Sequence, residues 1–482
     1  MFLVPKSYFS LPKGVNELNS GILFCQTCEQ STEIELLSNP IRWLTDVISP
    51  EHIEGISPFE SIEVIPSRSG SLCLICKGGR MLCGKLGCPI IAKAQSLVKF
   101  RNLVDSESVE GSTPPGVFVG RAGYPRVSIG PMIPPYFGDT TILDTPEQWI
   151  GKSINEIIDY RFSLIRGKVR ASIFDTQTEN RMLDTLQELA MGSRPTDSEA
   201  LFTKKPKKTI LLSDETQPFG PSAPLKSFKT SSISVDKRIE KAFYDHDLKA
   251  SNAAMQLYRD GVLVTRIQRC FSVGMFGQEA RRKLVPTRWS ITAVDSNISL
   301  QLIDEIKQYQ TIDEYRVYTF TYLDNIYVAI LTPEQWNFEW IEAWFPGTTW
   351  NIEGKTPAMM GDYEGYWGRT TYASVGGCYY STRLAVTEKL SAERKQASAL
   401  VLREIHPGYI LPVGVWNVRE SIRSALKTQP KLFDTFNAAL QFAMSKMTIP
   451  LKHWIANSTI LRNAFFQKKI SDFFTEARKI QT

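Results

Sequence analysis

The chain has 482 residues, 43% hydrophobic and 22% charged, with a net charge of +6, eight cysteines and four histidines. That length exceeds one ordinary core and predicts two or three domains of about 100–200 residues each. No apolar run reaches the roughly 18–20 residues of a spanning helix, and the opening MFLVPKSYFSLPKG breaks at prolines, so a cytoplasmic protein is expected. The net charge favours nucleic acid only weakly, and where it gathers matters more. It gathers in Lys204-Lys205-Pro206-Lys207-Lys208, in Arg281-Arg282-Lys283 and in the C-terminal tail.

Residues 1–60 are weakly patterned and contain Cys25 and Cys28. Six of the eight cysteines lie between Cys25 and Cys88, with Cys270 and Cys378 alone beyond them. Cys73-Leu74-Ile75-Cys76, followed by Cys83 and Cys88, places four thiols within sixteen positions. A C-x-x-C turn presents two sulfurs to one ion without strain, and zinc prefers four tetrahedral thiolates. A small four-cysteine zinc module at 73–88 is therefore expected. The same residues are compatible with an iron–sulfur cluster or with buried free thiols. Cys25 and Cys28 form a second, incomplete pair.

The Gly/Pro-rich stretch 114–135 reads as strands at 117–119 and 127–129 joined by tight loops. Within it, Arg121 and Arg126 stand beside glycines that let a backbone approach a phosphate. A helical pattern from 154 to 192 carries Arg161 and Arg166, and the polar stretch 193–235 reads as a linker or mobile loop. Apolar residues at Ile239, Phe243, Ala250, Ala254 and Leu257 predict one helix over 236–260. Two β-rich runs, 315–322 and 326–331, read as a hairpin. Then come a helix at 382–396, strands at 399–405 and 409–416, a helix at 418–427 and mainly helix from 431. Without a regular βαβ rhythm, the class expected is α+β, multi-domain, with a mixed core and a helical C-terminal segment ending in a free peptide. The divisions are an N-terminal segment 1–60, domains at 61–300 and 301–430, C-terminal helices at 431–466 and a peptide at 467–474.

Common catalytic signatures are missing. Gly151-Lys152-Ser153 lacks the glycine that a phosphate loop needs five residues earlier, where Pro146 stands. Asp245-His246-Asp247 has the residue types of a nuclease metal site, but residues two apart on a helix do not face each other. The segment 281–295 combines the cations Arg281, Arg282, Lys283 and Arg288 with the ring of Trp289 and the carboxylate of Asp295. That is the composition of a nucleic-acid-binding edge beside a strand, with Asp295 and Arg288 as catalytic candidates. It equally suits a buried Arg–Asp pair that supports the fold.

In the tail, Ile470, Phe473 and Phe474 stand at i, i+3 and i+4, with Gln467 three residues ahead. One helical turn projects the three apolar side chains from one side, and the amide both donates and accepts hydrogen bonds. Every defined position matches the sliding-clamp consensus Q-x-x-(I/L/M)-x-x-(F/Y)-(F/Y). The alternative is an amphipathic helix folded on its own domain.

Read together, CLICKGGRMLCGKLGCP (73–89), FVGRAGYPRV (118–127), FGPSAPL (219–225), RRKLVPTRWSITAVD (281–295), PGTTW (346–350), GGCYYSTRLAV (376–386), LPVGVWNVRE (411–420) and the tail resemble the archaeal Nre family of DNA repair proteins. The resemblance spans about residue 70 to the end. It implies a part in DNA-damage repair, binding of the PCNA sliding clamp through the tail, a zinc site at Cys73, Cys76, Cys83 and Cys88, and an ordered 217–225, which confines the loop to about 193–216. It brings no defined chemistry. Three functions follow as alternatives: a clamp-tethered DNA-binding repair factor, a metal-dependent nuclease working at the clamp, and a non-enzymatic clamp-interaction protein.

Overall fold

The computed structural model describes residues 62–65, 75–76, 78–100, 106–211 and 218–466, all within one compact unit. Two six-stranded sheets and twelve α-helices among these residues make the class α+β. The first sheet is built from β2 (Ser108–Thr113), β3 (Val117–Val119), β4 (Arg126–Ile133), β5 (Ile165–Ser172), β6 (Thr196–Phe202) and β8 (Ser222–Thr230), in the order β2-β6-β8-β5-β4-β3. Only β5 and β8 run parallel in it. A separate short ribbon pairs β1 (Ile62–Ile65) with β7 (Lys208–Leu211).

The first sheet is covered on one face. Val119, Val127, Ile129, Ile165, Ala200 and Leu225 point into a core shared with α3 (Arg181–Met191), α5 (Ala250–Arg259), α6 (Val264–Ser272) and the first half of α7 (Thr287–Ile306). Alternation then turns Arg126, Ser128, Arg166, Lys168 and Arg170 to the opposite face, because strand side chains have a period of two.

The second sheet is buried on both faces. It comprises β9 (Tyr315–Tyr322), β10 (Asn325–Thr332), β11 (Asn337–Trp344), β12 (Ala358–Glu364), β13 (Ser398–Ile405) and β14 (Lys431–Phe433), ordered β12-β11-β13-β10-β9-β14. On β10, Tyr327, Ala329 and Leu331 pack toward α8 (Gly377–Glu393) and α9 (Val415–Lys427). Val328 and Ile330 pack toward α10 (Phe436–Met444), α11 (Leu451–Asn457) and α12 (Thr459–Phe466). That double burial is why β10 and β13 read as nearly continuous apolar runs. Helix α7 joins the halves: Val294 and Ile298 sit in the first core, Ile303 and Ile306 in the second.

Several expectations are corrected. The loop expected at 193–216 contains two strands, β6 and β7, and its residues 212–216 lie outside the described residues. The helical pattern at 154–192 is interrupted by β5, so Arg166 lies on a strand, between α2 (Ile154–Phe162) and α3. The helix over 236–260 is two, α4 (Lys237–Tyr244) and α5, and Asp245-His246-Asp247 occupies the break between them. The strand expected at 409–416 is a loop leading into α9, and the strand expected beside Asp295 is α7. Residues 222–225 do stand in an ordered strand, β8.

Candidate nucleic-acid interface

The β3–β4 hairpin and the start of α7 are brought together by the fold. Thr287, the first residue of α7, accepts a hydrogen bond from the Val119 amide at 2.9 Å, and the Ser272 hydroxyl at the end of α6 lies 3.2 Å from it. Leu284 donates its amide to the Ile173 carbonyl. These ties put Tyr124, at the hairpin tip, against Trp289, with ring centroids 5.2 Å apart. Gly123 makes the tip possible: its φ is +81°, and a Cβ there would lie 3.1 Å from Arg170 Nη1.

Around this ring pair stand cations. Arg121, Arg126 and Arg288 are exposed, as are Arg281 and Lys283. Lys283 Nζ lies 4.7 Å from the ring centre of the exposed Phe174. Arg166, Lys168 and Arg170 follow along one face of β5, at alternate positions. Burial pushes the Lys168 ammonium down, and its neighbours Arg166 and Arg170 push it further. Arg166 is driven by burial to about 10, and it lies over the Phe219 ring at 3.9 Å. Among the described residues no carboxylate forms a salt bridge with Arg166, Lys168 or Arg170. A row of mutually repelling cations flanked by aromatic rings suits a polyanion with stackable bases.

Arg282 stands apart. It is 6% exposed and donates to the backbone carbonyls of Phe243, Asp245 and Gly277, so it holds the α4–α5 break rather than facing a ligand. Arg170 and Phe174 belong to the surface but escaped sequence reading. The alternation of Arg166, Lys168 and Arg170 was the available signal, hidden while that stretch read as helix.

Asp295 is wholly buried. It accepts from Arg419 Nη1 at 3.1 and 3.3 Å and from Gln268 Nε2 at 2.7 Å. Burial raises its pKa, and the Arg419 and Arg423 guanidiniums oppose that. Such a carboxylate is out of reach of a DNA phosphate. Its place is the fold-supporting pair, while Arg288 remains on the surface.

Of the cysteine cluster, Cys76, Cys83 and Cys88 are described, and Cys73 lies outside the described residues. Cys88 caps α1 (Pro89–Lys99). Burial raises its thiol, with neighbouring Cys76 and Cys83 adding to the rise and the backbone amides of Ile91 and Ile90 opposing it. Cys88, at the helix N-terminus, thus lies within range of the charges of Cys76 and Cys83. Among the described residues no three His, Cys, Asp or Glu side chains are grouped to hold an ion. The loop docks on the other half of the molecule. Lys85 Nζ donates to Thr349 Oγ1 at 3.2 Å, and Gly84 meets Gly347 so closely that a Cβ on Gly347 would lie 2.6 Å from the Gly84 carbonyl oxygen. The clamp peptide, with Gln467, Ile470, Phe473 and Phe474, lies outside the described residues, immediately after α12.

Two family models cover most of this architecture: "Archaeal Nre, N-terminal" matches residues 82–351 and "Archaeal Nre, C-terminal" matches 364–473. The chain belongs to the archaeal Nre family. DNA repair protein NreB of Archaeoglobus fulgidus is 44% identical over 391 residues, which is 81% of this chain and 97% of NreB. DNA repair protein NreA of the same organism is 37% identical, over 80% of this chain and 95% of its own length. DNA repair protein NreA of Haloferax volcanii is 35% identical, over 78% and 91%. No solved structure matches this Nre chain. Among its described residues no helix is long and apolar enough to cross a membrane.

Proposed function

We propose that this Nre protein is a DNA repair factor that binds DNA on the arginine–aromatic surface of its first sheet and is brought to DNA by a sliding clamp. The observation that carries the reading is the Tyr124–Trp289 contact, which unites two separately charged segments into one face. Arg121, Arg126, Arg170 and Arg288 meet phosphates there, and the rings receive an unstacked base. The names of the relatives support a repair role.

Recruitment rests on the tail. Gln467 bonds to the clamp surface while Ile470, Phe473 and Phe474 enter an apolar pocket, the aromatic pair supplying most of the affinity. Tethering raises the local concentration of the DNA-binding face, so a weak intrinsic affinity suffices. The partner is the PCNA clamp. Cys73, Cys76, Cys83 and Cys88 hold a structural zinc ion, which fixes the loop carrying Lys85 against the second half of the molecule.

Because Asp295 is sealed in the core, the nuclease alternative loses its carboxylate candidate. Anisotropy of a labelled DNA titrated with the full chain tests the reading, using Tyr124→Ala/Trp289→Ala against wild type. A drop in affinity with retained fold is expected, and unchanged affinity contradicts it.

A further inference from the structure

At the opposite end of β3 from the hairpin tip, Pro114 and Pro115 border a cleft of about 150 Å³. Its wall carries Arg194, Arg238, Arg266 and Arg269 together with Asp144. These side chains converge from the approach to β6, the start of α4 and successive turns of α6. Such a density of guanidinium groups in a concavity is itself unusual, because like charges repel and each has to be desolvated.

The neighbouring carboxylates do not satisfy all of them. Asp236 takes Arg238 and Arg266, at 2.8 and 3.0 Å. Asp144 takes Arg269 at 2.5 Å and Arg161 at 3.5 Å, through the same oxygen. Arg194 is exposed and, among the described residues, has neither an ion-pair nor a hydrogen-bond partner. Arg269 uses only Nη2 on Asp144, and its remaining donors have no partner among the described residues.

Two buried polar atoms in this wall are orphaned as well: Asp144 Oδ2 and Arg266 Nε. Asp144 is 3% exposed, so an unpaired oxygen there carries a real desolvation cost. Folding on its own terms does not need unpaired donors and an unpaired acceptor side by side. A ligand that accepts from arginine and is at home near a carboxylate accounts for both.

We propose that this cleft binds a terminal phosphate monoester, with Arg194 and Arg269 donating to its oxygens and Asp144 lining the floor. A guanidinium fork matches phosphate geometry in two parallel hydrogen bonds. A cleft of about 150 Å³ has room for little more than one phosphate and its sugar, which suits a chain end or a free nucleotide. A monoester that keeps its second proton, lost near pH 6, donates its P–OH to the unpaired Asp144 Oδ2, which a diester has no proton to do. Helix α6 connects the cleft to the arginine–aromatic face: Arg266 and Arg269 stand at the cleft, and Ser272, one turn beyond Arg269, lies 3.2 Å from the Thr287 hydroxyl. Its nine residues span about 13 Å. A DNA strand lying on that face thus has its terminus within reach of the cleft.

The shared chemistry is the phosphate monoester, and the source is either a DNA 5′ end or a free nucleotide. The test uses the full chain and three probes: a single-stranded oligonucleotide with a 5′-phosphate, the same oligonucleotide with a 5′-hydroxyl, and deoxyadenosine monophosphate followed by calorimetry. Preference for the phosphorylated end by about tenfold, equivalent to roughly 1.4 kcal/mol, supports the site and assigns the DNA end. Direct binding of the mononucleotide without an end preference supports the site and assigns the free nucleotide. Arg194→Glu, a change at an exposed position, is expected to abolish whichever preference is seen and to leave affinity for the hydroxyl-ended strand unchanged. No end preference together with no mononucleotide binding overturns the proposal. The mononucleotide arm reads the cleft even if the arginine–aromatic face proves not to bind DNA.

Discussion

Arg419 on α9 donates to Asp295 on α7 across 124 positions of sequence, and both side chains are sealed from water. The pair sits in a larger buried array in which Arg419 also approaches Glu420 at 3.1 Å and Glu147 at 3.8 Å. Removing one partner strands the other charge in the core, which typically costs about 3–5 kcal/mol. Asp295→Ala and Arg419→Ala should each lower the unfolding free energy obtained from urea titration by that order, and Asp295→Asn by less. A catalytic Asp295 requires the reverse pattern: a stable Asp295→Asn protein that loses a DNA cleavage activity shown by wild type.

The N-cap of α4 makes stability depend on pH. Arg238 donates to both carboxylate oxygens of Asp236 and, helped by Arg266, holds it down at about 2 against an ordinary 3.8. The folded value is depressed, so the contribution is fully present above the ordinary value and is lost as pH falls through the folded one. Chemical unfolding followed from pH 5 to pH 2 should therefore steepen in wild type below about pH 4. Asp236→Asn should be less stable at pH 5 and flatter below it. Parallel curves for the two proteins contradict the assignment.

If zinc binds the four thiols, the purified protein should carry about one equivalent of it, since structural sites of this kind hold one ion on four ligands. Stripping it with chelator should lower the melting temperature, because metal binding is coupled to folding. Cys83→Ser should have the same effect with chelator absent. A folded, metal-free protein with unchanged melting temperature rules the module out.

Fold class was legible from the sequence because the patterns that set it are local: the hairpin of β9 and β10 and the strand β13 all follow from β-rich runs bounded by turn residues. The stretch 193–216 does not read as strand because β6 alternates small and polar residues, Thr196, Ser198 and Ala200 inward against Asp197 and Glu199 outward, and shows large apolar residues only at its end, Leu201 and Phe202. The break between α4 and α5 was hidden because Ile239 and Leu257 keep helical spacing across a turn. At the surface, the composition of 118–127 and of 281–289 pointed to nucleic acid, but only tertiary structure places Tyr124 on Trp289. Nor did sequence separate Arg282 from its neighbours: three adjacent cations look alike until one is drawn inward by backbone carbonyls.

Clamp binding by the tail predicts a simple titration. Phe473→Ala/Phe474→Ala should weaken binding to PCNA by about 1,000-fold, as expected when two anchor rings worth roughly 2 kcal/mol each are removed. Equal affinity for clamp in wild type and variant contradicts the recruitment proposed for this peptide.

The most direct measurement is the salt dependence of DNA affinity for the full chain and for Arg121→Ala/Arg126→Ala/Arg288→Ala. All three arginines are exposed, so the fold should survive their loss. The account predicts weaker binding and a slope of log affinity against log salt reduced by about 1 for each arginine that meets a phosphate. Identical affinities and identical slopes for the two proteins would contradict it.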